Sequence, residues 1–471
     1  MRLSSQPNDR SSWIIPFGIY LLVSAAFGAA YLLRSMWAYP DVPYLTQIIS
    51  VDITEAALNG NYQPLWEFFF TFSGEHKLFA YQVYLYLDAR FFDFSTITEM
   101  VIWTFSLYLQ IVMVGIYLFH RFYIRTLSIQ FLVLLLIPAL VFTPIICTGR
   151  GMETQIQVST TLLVACFLAL KLPVRAIIFF PGILILSGVY VMLFAGGYAA
   201  GGAFAFIIGT ALCRISGVCS REFFIRIATS TSFFMLWLLA YLMWYIHAGA
   251  TAPTGESITT VLARDPLFLP KYILAGLAGT VTNVNLVEYY GQNFYTFVYL
   301  TGFGIAFLVL ALFTVTMMTN RSRRHVVFPA LLISYGVGVT ISVMIGRHTD
   351  PSWILNAWYP FHFRLVAEGL IVLVITTMTL KAWRGRTILT IFCCGLSVAI
   401  GYSYVASVRY QWHRNQYERP YFENIRRYVI DTDPSKISPS TALTPVYLDP
   451  ASTARALEFL RRYHLTPFDN N

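Results

Sequence analysis

Apolar residues run along this chain in unbroken blocks of roughly 16 to 26 residues, separated by short polar stretches. Strands do not reach such lengths, whereas a helix crossing a bilayer needs about 20 mainly apolar residues. Eleven blocks can be drawn, near 13–33, 100–119, 127–147, 155–170, 174–193, 198–213, 227–247, 293–318, 325–345, 361–380 and 387–407. The fourth and sixth are short and suit tilted, re-entrant or protein-buried helices. Segment 271–283 reads as a further half-buried or interfacial helix. The pattern therefore predicts an all-α polytopic membrane protein with about 11 transmembrane helices. It divides at 407 into a membrane domain, 1–407, and a polar tail, 408–471.

Two polar stretches carry patterns of their own. Segment 34–99 interleaves aromatics with Asp41, Asp52, Glu55, Glu67, Glu75, Asp88 and Asp93. After Lys77, residues Leu78, Tyr81, Leu85 and Phe92 share one side of a helix. The other sides are also largely apolar, with Gln82, Asp88 and Arg90 the main exceptions, so this helix should lie in the interface or under other loops. In the tail, residues 452–463 read as an amphipathic helix after Asp449-Pro450. A tail of this size has little core of its own and is expected to pack on the outer loops.

Composition sharpens the class. Only 12% of residues are charged and the mean hydropathy is +0.62, against about 25% charged in a soluble domain. The net charge of +9 would fit nucleic-acid binding if it were clustered, but the basic residues flank apolar blocks instead. With the N-terminus inside, the inner segments hold Arg2, Arg10, Arg121, Arg125, Lys171, Arg175, Arg214, Arg221, Arg226, Arg321, Arg323, Arg324, Lys381, Arg384 and Arg386, and only two acids, Asp9 and Glu222. The outer segments hold the remaining 17 basic and 21 acidic residues. That bias predicts a cytoplasmic N-terminus and an extracytoplasmic C-terminus. The exit Leu33-Arg34-Ser35 has no small-x-small site, so the first block is read as an uncleaved helix. The six cysteines imply neither an outer disulfide framework nor a zinc site. With no Walker A motif and no GxGxxG, an ATP-driven pump has no support.

The candidate chemistry lies in the outer segments. Ionisable groups are costly beside lipid, and proteins that gather them there generally use them. Asp41, between Pro40 and Pro43, is the first candidate for a base that deprotonates a hydroxyl; each acid of this loop is equally compatible with a solvated surface charge. Glu75, His76 and Lys77 follow Gly74 and mark a turn into the expected helix. Arg150 and Glu153 stand at i,i+3 spacing, and Gln155 and Gln157 enter an apolar block where unsatisfied amides are costly. Sugar hydroxyls suit those amides. Arg347 and His348 follow the ninth block, where a guanidinium fork suits a lipid-linked phosphate or a headgroup. Arg364 and Glu368, one turn apart, read as an intrahelical neutral pair.

At these residues the chain resembles bacterial polytopic glycosyltransferases of the GT-C type. Gly74-Glu75-His76-Lys77, running into an aromatic stretch, is similar to a family Asn-Glu-His-Arg motif. Gly149 to Gln157 is similar to a stretch in which Glu and two Gln precede a span, and Ala456 to Phe468 to the short helix and Phe that end many members. Gly74 and Lys77 replace the usual Asn and Arg, and the arginine of a Ser-Arg-Tyr stretch is missing at Ala357-Trp358-Tyr359. The resemblance implies a GT-C-like fold in the bacterial inner membrane. The implied activity moves a sugar from a polyprenyl-phosphate donor to a cell-envelope glycan such as O-antigen, or a lipid acceptor, at the outer face. Asp41, Glu75 and His76 would be catalytic. Lys77, Arg150, Glu153, Gln155, Gln157, Arg347 and His348 would bind substrate. No cofactor is certain, and a divalent metal at the leaving phosphate stays open. Two alternatives stand beside this reading: a transporter or flippase of lipid-linked glycan, and a noncatalytic envelope-assembly factor.

Overall fold

A computed structural model describes residues 13–38, 41, 51–70, 79–122, 124, 128–143, 150–217, 219–248, 258–282, 286–287, 290–291, 294–318, 325–346, 354–355, 359–378, 386–437 and 450–468. Helix dominates, and no strand occurs among the described residues. In chain order the helices are α1 (Ile14–Ala38), α2 (Val51–Leu58), α3 (Gln63–Phe69), α4 (Phe79–Phe91), α5 (Thr96–Phe122), α6 (Ile129–Leu134), α7 (Leu136–Val141), α8 (Arg150–Ala169) and α9 (Ala176–Val189). They continue with α10 (Ala199–Ser216), α11 (Arg221–His247), α12 (Ile258–Arg264), α13 (Phe268–Ala278), α14 (Phe294–Met318), α15 (Val327–Gly346), α16 (Pro360–Met378), α17 (Arg386–Asp431) and α18 (Pro450–Arg462).

Eight helices among the described residues are long and apolar enough to cross a membrane. The protein is an all-α polytopic membrane protein. The other blocks take different forms. Block 127–147 appears as the short α6 and α7, which meet at Leu135. Block 155–170 lies within α8, whose apolar part spans 155–169. Block 387–407 makes the first half of the 46-residue α17, which continues well past residue 407. The interfacial helix expected at 271–283 is α13, buried on α14 and α15.

Side-chain oxygens and glycines set several helix ends. The Ser128 hydroxyl accepts from the Phe131 N–H to start α6, and Ser220 does the same for Phe223 at α11. Between α9 and α10 the chain makes a π turn over Tyr190–Ala195. It then reverses at Gly196, with φ 49° and ψ −125°, a region open to glycine. α16 is the central helix, buried almost along its whole length. α15 packs on it and also on α10, where a Cβ added to Gly338 would stand 2.9 Å from the Gly201 Cα. Close small-residue contacts of this kind hold helices together where lipid removes the hydrophobic drive.

Helices α2, α3 and α4, the extension of α17 and α18 form a cap at one end of the bundle. Ala38, Val51, Leu85, Ala89, Phe94, Met100, Phe422, Val429, Leu457 and Leu460 share its core. Arg462 pairs with Glu55 at 2.6 Å, Arg455 with Asp52, and the Tyr463 hydroxyl donates to Asn59 at 3.0 Å. The Thr466 N–H donates to the Asp93 carbonyl at 2.8 Å. The tail thus packs on segment 34–99, as its length required. The α4 face differs from the pattern. Phe79, Gln82, Leu85, Asp88 and Ala89 are buried while Phe92 is half exposed, so two of the polar exceptions point inward. Gln82 is held by the Thr54 hydroxyl on α2 at 2.8 Å, which explains the first of them.

Candidate functional site

Where cap and bundle meet, acids gather around the start of α5. The Asp41 carboxylate caps that helix. Its Oδ1 accepts from the Thr96 N–H at 2.8 Å and the Thr96 hydroxyl at 2.9 Å, and its Oδ2 from the Ser95 hydroxyl at 2.9 Å. Orphan N–H groups and the helix dipole both favour a negative group here. Glu99, in the first turn of α5, is 1% exposed, and Asp88 on α4 is 4% exposed. Burial pushes the Asp88 carboxyl up to about 8, helped by the charges of Glu99, Asp41 and Asp93. Near neutral pH Asp88 therefore keeps its proton, as a carboxyl that serves as an acid must. The Tyr84 phenol is raised as well, first by burial and then by Glu99 and Asp88. Neither Asp88 Oδ1 nor the Tyr84 hydroxyl oxygen has a hydrogen-bond partner among the described residues.

Below the acids, inside the bundle, lies a second polar layer. Its level follows from contacts along three helices. The Trp103 ring on α5 meets Phe361 on α16 at 5.7 Å, and seven residues on in both helices Gln110 Nε2 donates to Glu368 Oε1 at 2.6 Å. The Thr161 hydroxyl on α8 donates to the Ser106 carbonyl on α5 at 3.0 Å. Gln157, one turn nearer the cap, therefore sits at the level of Trp103. His362 Nδ1 shares a 2.7 Å hydrogen bond with the Tyr335 hydroxyl, and its ring lies 4.3 Å from that of Tyr198. Arg364 Nη2 donates to the Thr143 carbonyl at 2.8 Å, and its guanidinium stands over Phe361 at 4.6 Å. Glu368, expected to neutralise Arg364 within the helix, feels the charge of Arg364 and also takes a hydrogen bond from Gln110 across the bundle.

Of the catalytic and substrate-binding residues that the resemblance implies, the structure describes the side chains of Asp41, Gln155 and Gln157. Gln155 Nε2 donates to the Leu193 and Phe194 carbonyls at 3.2 and 3.1 Å, groups freed where the π turn ends. Gln157 is fully buried, and both its amide atoms lack partners among the described residues. Arg150 and Glu153 lie in the first turns of α8, which opens at the cap end. Glu75, His76, Lys77, Arg347 and His348, and the side chains of Arg150 and Glu153, lie outside the described residues. The other loop acids divide by role: Asp52 and Glu55 pair with the tail, and Glu67 accepts from Gln63 at 2.8 Å.

Reading the sequence did not single out Glu99, Gln110, Trp103 or His362. Gln110, Trp103 and His362 sit inside apolar blocks, where the one available signal was a polar residue within a predicted span, and Glu99 closes segment 34–99 directly before the second block. Among the described residues no three His, Cys, Asp or Glu side chains stand close enough to hold a metal ion. Comparison with protein-family models, with curated proteins and with solved structures finds no match to this chain.

Proposed function

We propose that this protein is a membrane glycosyltransferase that moves a sugar from a polyprenyl-phosphate donor to a cell-envelope glycan or lipid acceptor. One observation carries the reading: along α16 the buried ionisable groups, His362, Arg364 and Glu368, stand in its cap-side half and stop at Glu368. Beyond Glu368, α16 continues as Leu370, Ile371, Val372, Leu373, Val374 and Ile375, each no more than 1% exposed. Leu331, Leu332 and Phe328 of α15 are equally buried. A layer closed on one side by packed hydrocarbon suits a pocket that holds a substrate and returns it to the side it came from. A carrier needs polar groups continuing across. This favours transfer over the transporter or flippase alternative.

In this reading a donor lies with its chain in the lipid and its sugar under the cap. A loop carboxylate, Asp41 first, takes the proton of the acceptor hydroxyl, and that oxygen attacks the anomeric carbon as the bond to the lipid phosphate breaks. Protonated Asp88 can return a proton to a departing oxygen. The basic residues flanking the cap-end helices, Lys77, Arg150 and Arg347, are the candidates for holding phosphate. Positive-inside bias supports an outer-face position for the cap, and the bacterial inner membrane is the setting this reading implies.

The test is transfer by purified protein in lipid nanodiscs, given a polyprenyl-phosphate sugar and an envelope acceptor. Asp41→Asn should lower the rate at least ~10²-fold with donor binding retained. If lipid-linked glycan crosses the bilayer of sealed proteoliposomes while no glycosidic product forms, the protein is a transporter and the transfer reading fails.

A further inference from the structure

We infer that the buried layer at the level of Trp103 is a subsite for a neutral, hydroxyl-rich group, the ring of a sugar, with Gln157 as its central recognition residue. Gln157 is 0% exposed, and neither its side-chain Nε2 nor its Oε1 has a partner among the described residues. The same holds at this level for the Trp103 indole N–H and His362 Nε2, and about two turns deeper for Gln110 Oε1 and Glu368 Oε2. An unsatisfied buried amide costs on the order of several kcal/mol, so a run of such atoms within two turns of helix marks a place built for a partner.

The kind of partner follows from the chemistry of these atoms. Gln157 both donates and accepts, the Trp103 indole only donates, Gln110 Oε1 and Glu368 Oε2 accept from a hydroxyl, and the free His362 nitrogen does one or the other by tautomer. A polyol, whose hydroxyls each donate and accept, matches that mixture. A phosphate does not. The layer's basic residue, Arg364, is already engaged with the Thr143 carbonyl and the Phe361 ring. Phosphate here would have only that engaged guanidinium to balance its charge. Trp103, Phe361, Tyr198 and Tyr359 supply aromatic surface at the same level, which suits the apolar face of a sugar ring.

This deepens the glycosyl-transfer reading by naming what the inner layer recognises, and it is tested without transfer. The full-length protein in lipid nanodiscs is titrated with octyl glucoside, galactoside, mannoside and N-acetylglucosaminide below their micellar concentrations. Octyl phosphate and octanol are the comparators. At least one glycoside should raise Tm in a concentration-dependent way, and neither comparator should. Gln157→Leu replaces an unpartnered amide by hydrocarbon of similar size, so it should keep or raise the basal Tm while losing at least ~10-fold in glycoside affinity, the effect of a lost hydrogen bond. Trp103→Phe keeps the ring, removes the N–H and should weaken the same glycoside if Gln157→Leu does not fold. The inference is overturned if no glycoside shifts Tm, if octyl phosphate shifts it equally, or if the folded variants respond like the parent. Glycoside binding without any transfer would leave the subsite standing and remove the enzyme.

Discussion

Asp41 accepts from Ser95 and from both the backbone and hydroxyl of Thr96, so a cap role and a catalytic role have to be separated by substitution. Asn caps helices about as well as Asp, so Asp41→Asn should cost less than ~1 kcal/mol, while Asp41→Ala should cost ~0.5–2 kcal/mol. Denaturation of both variants beside their transfer rates distinguishes the roles. Equal rate losses scaling with stability would mean the residue is a cap only. Asp88 makes a pH prediction. Its folded-state pKa of about 8 lies above the ordinary carboxyl value of 3.8, so the folded protein holds the extra proton in that window. Stability should therefore fall as pH rises from about 4 to about 8 and level off above, the sign expected when the native state binds more protons. Asp88→Asn should flatten that part of the Tm profile and raise Tm at pH 8.5. An unchanged profile would mean that Asp88 is ionised throughout.

At the scale of elements, apolar blocks and tail pattern were legible because length and periodicity report burial directly. Most blocks became helices near their expected limits, and the amphipathic segment 452–463 became α18. Within block 127–147 hydropathy does not register the junction at Leu135 between α6 and α7. The inward face of α4 was hidden for a different reason. Gln82 is held by Thr54 on α2 and Asp88 lies near Glu99 of α5, both elsewhere in the chain, and local spacing carries no trace of them. The polar layer was half legible: Gln155 and Gln157 stood out at the mouth of a block, whereas Gln110 and Glu368 became a pair only through the packing of α5 on α16. Helix contacts make their own prediction. Gly338→Leu would drive a side chain into Gly201 and Phe204, and it should destabilise the bundle by ~1–3 kcal/mol or more. Gly304→Ala on α14 meets nothing within 4 Å and should leave Tm unchanged or slightly raised. Similar losses in both would mean that the α10–α15 contact is looser than it stands here.

For the whole molecule the question is which side of the membrane the cap faces, because the proposed chemistry needs the donor and acceptor of the outer face. The end opposite the cap is tied by basic residues. Arg226 at the start of α11 donates to the Leu172 and Val174 carbonyls at 2.7 and 2.5 Å and pairs with Glu222 at 2.8 Å, and Lys171 lies 4.0 Å from the centre of the Phe223 ring. The cap carries most of the described acids, and several meet tail arginines. Charge bias of this kind orients polytopic proteins with the basic end in the cytoplasm. In a cysteine-free background, Ala451→Cys on the exposed side of α18 should react with a membrane-impermeant maleimide on intact cells. Arg221→Cys, at the exposed start of α11, should react only after the membrane is opened. Both residues sit at described, solvent-exposed positions, so a failure to label reports sidedness and not burial. The reverse pattern would turn the cap to the cytoplasm, where nucleotide-activated sugars become the natural donors. The acid cluster and the sugar subsite would then keep their geometry but serve a different reaction partner.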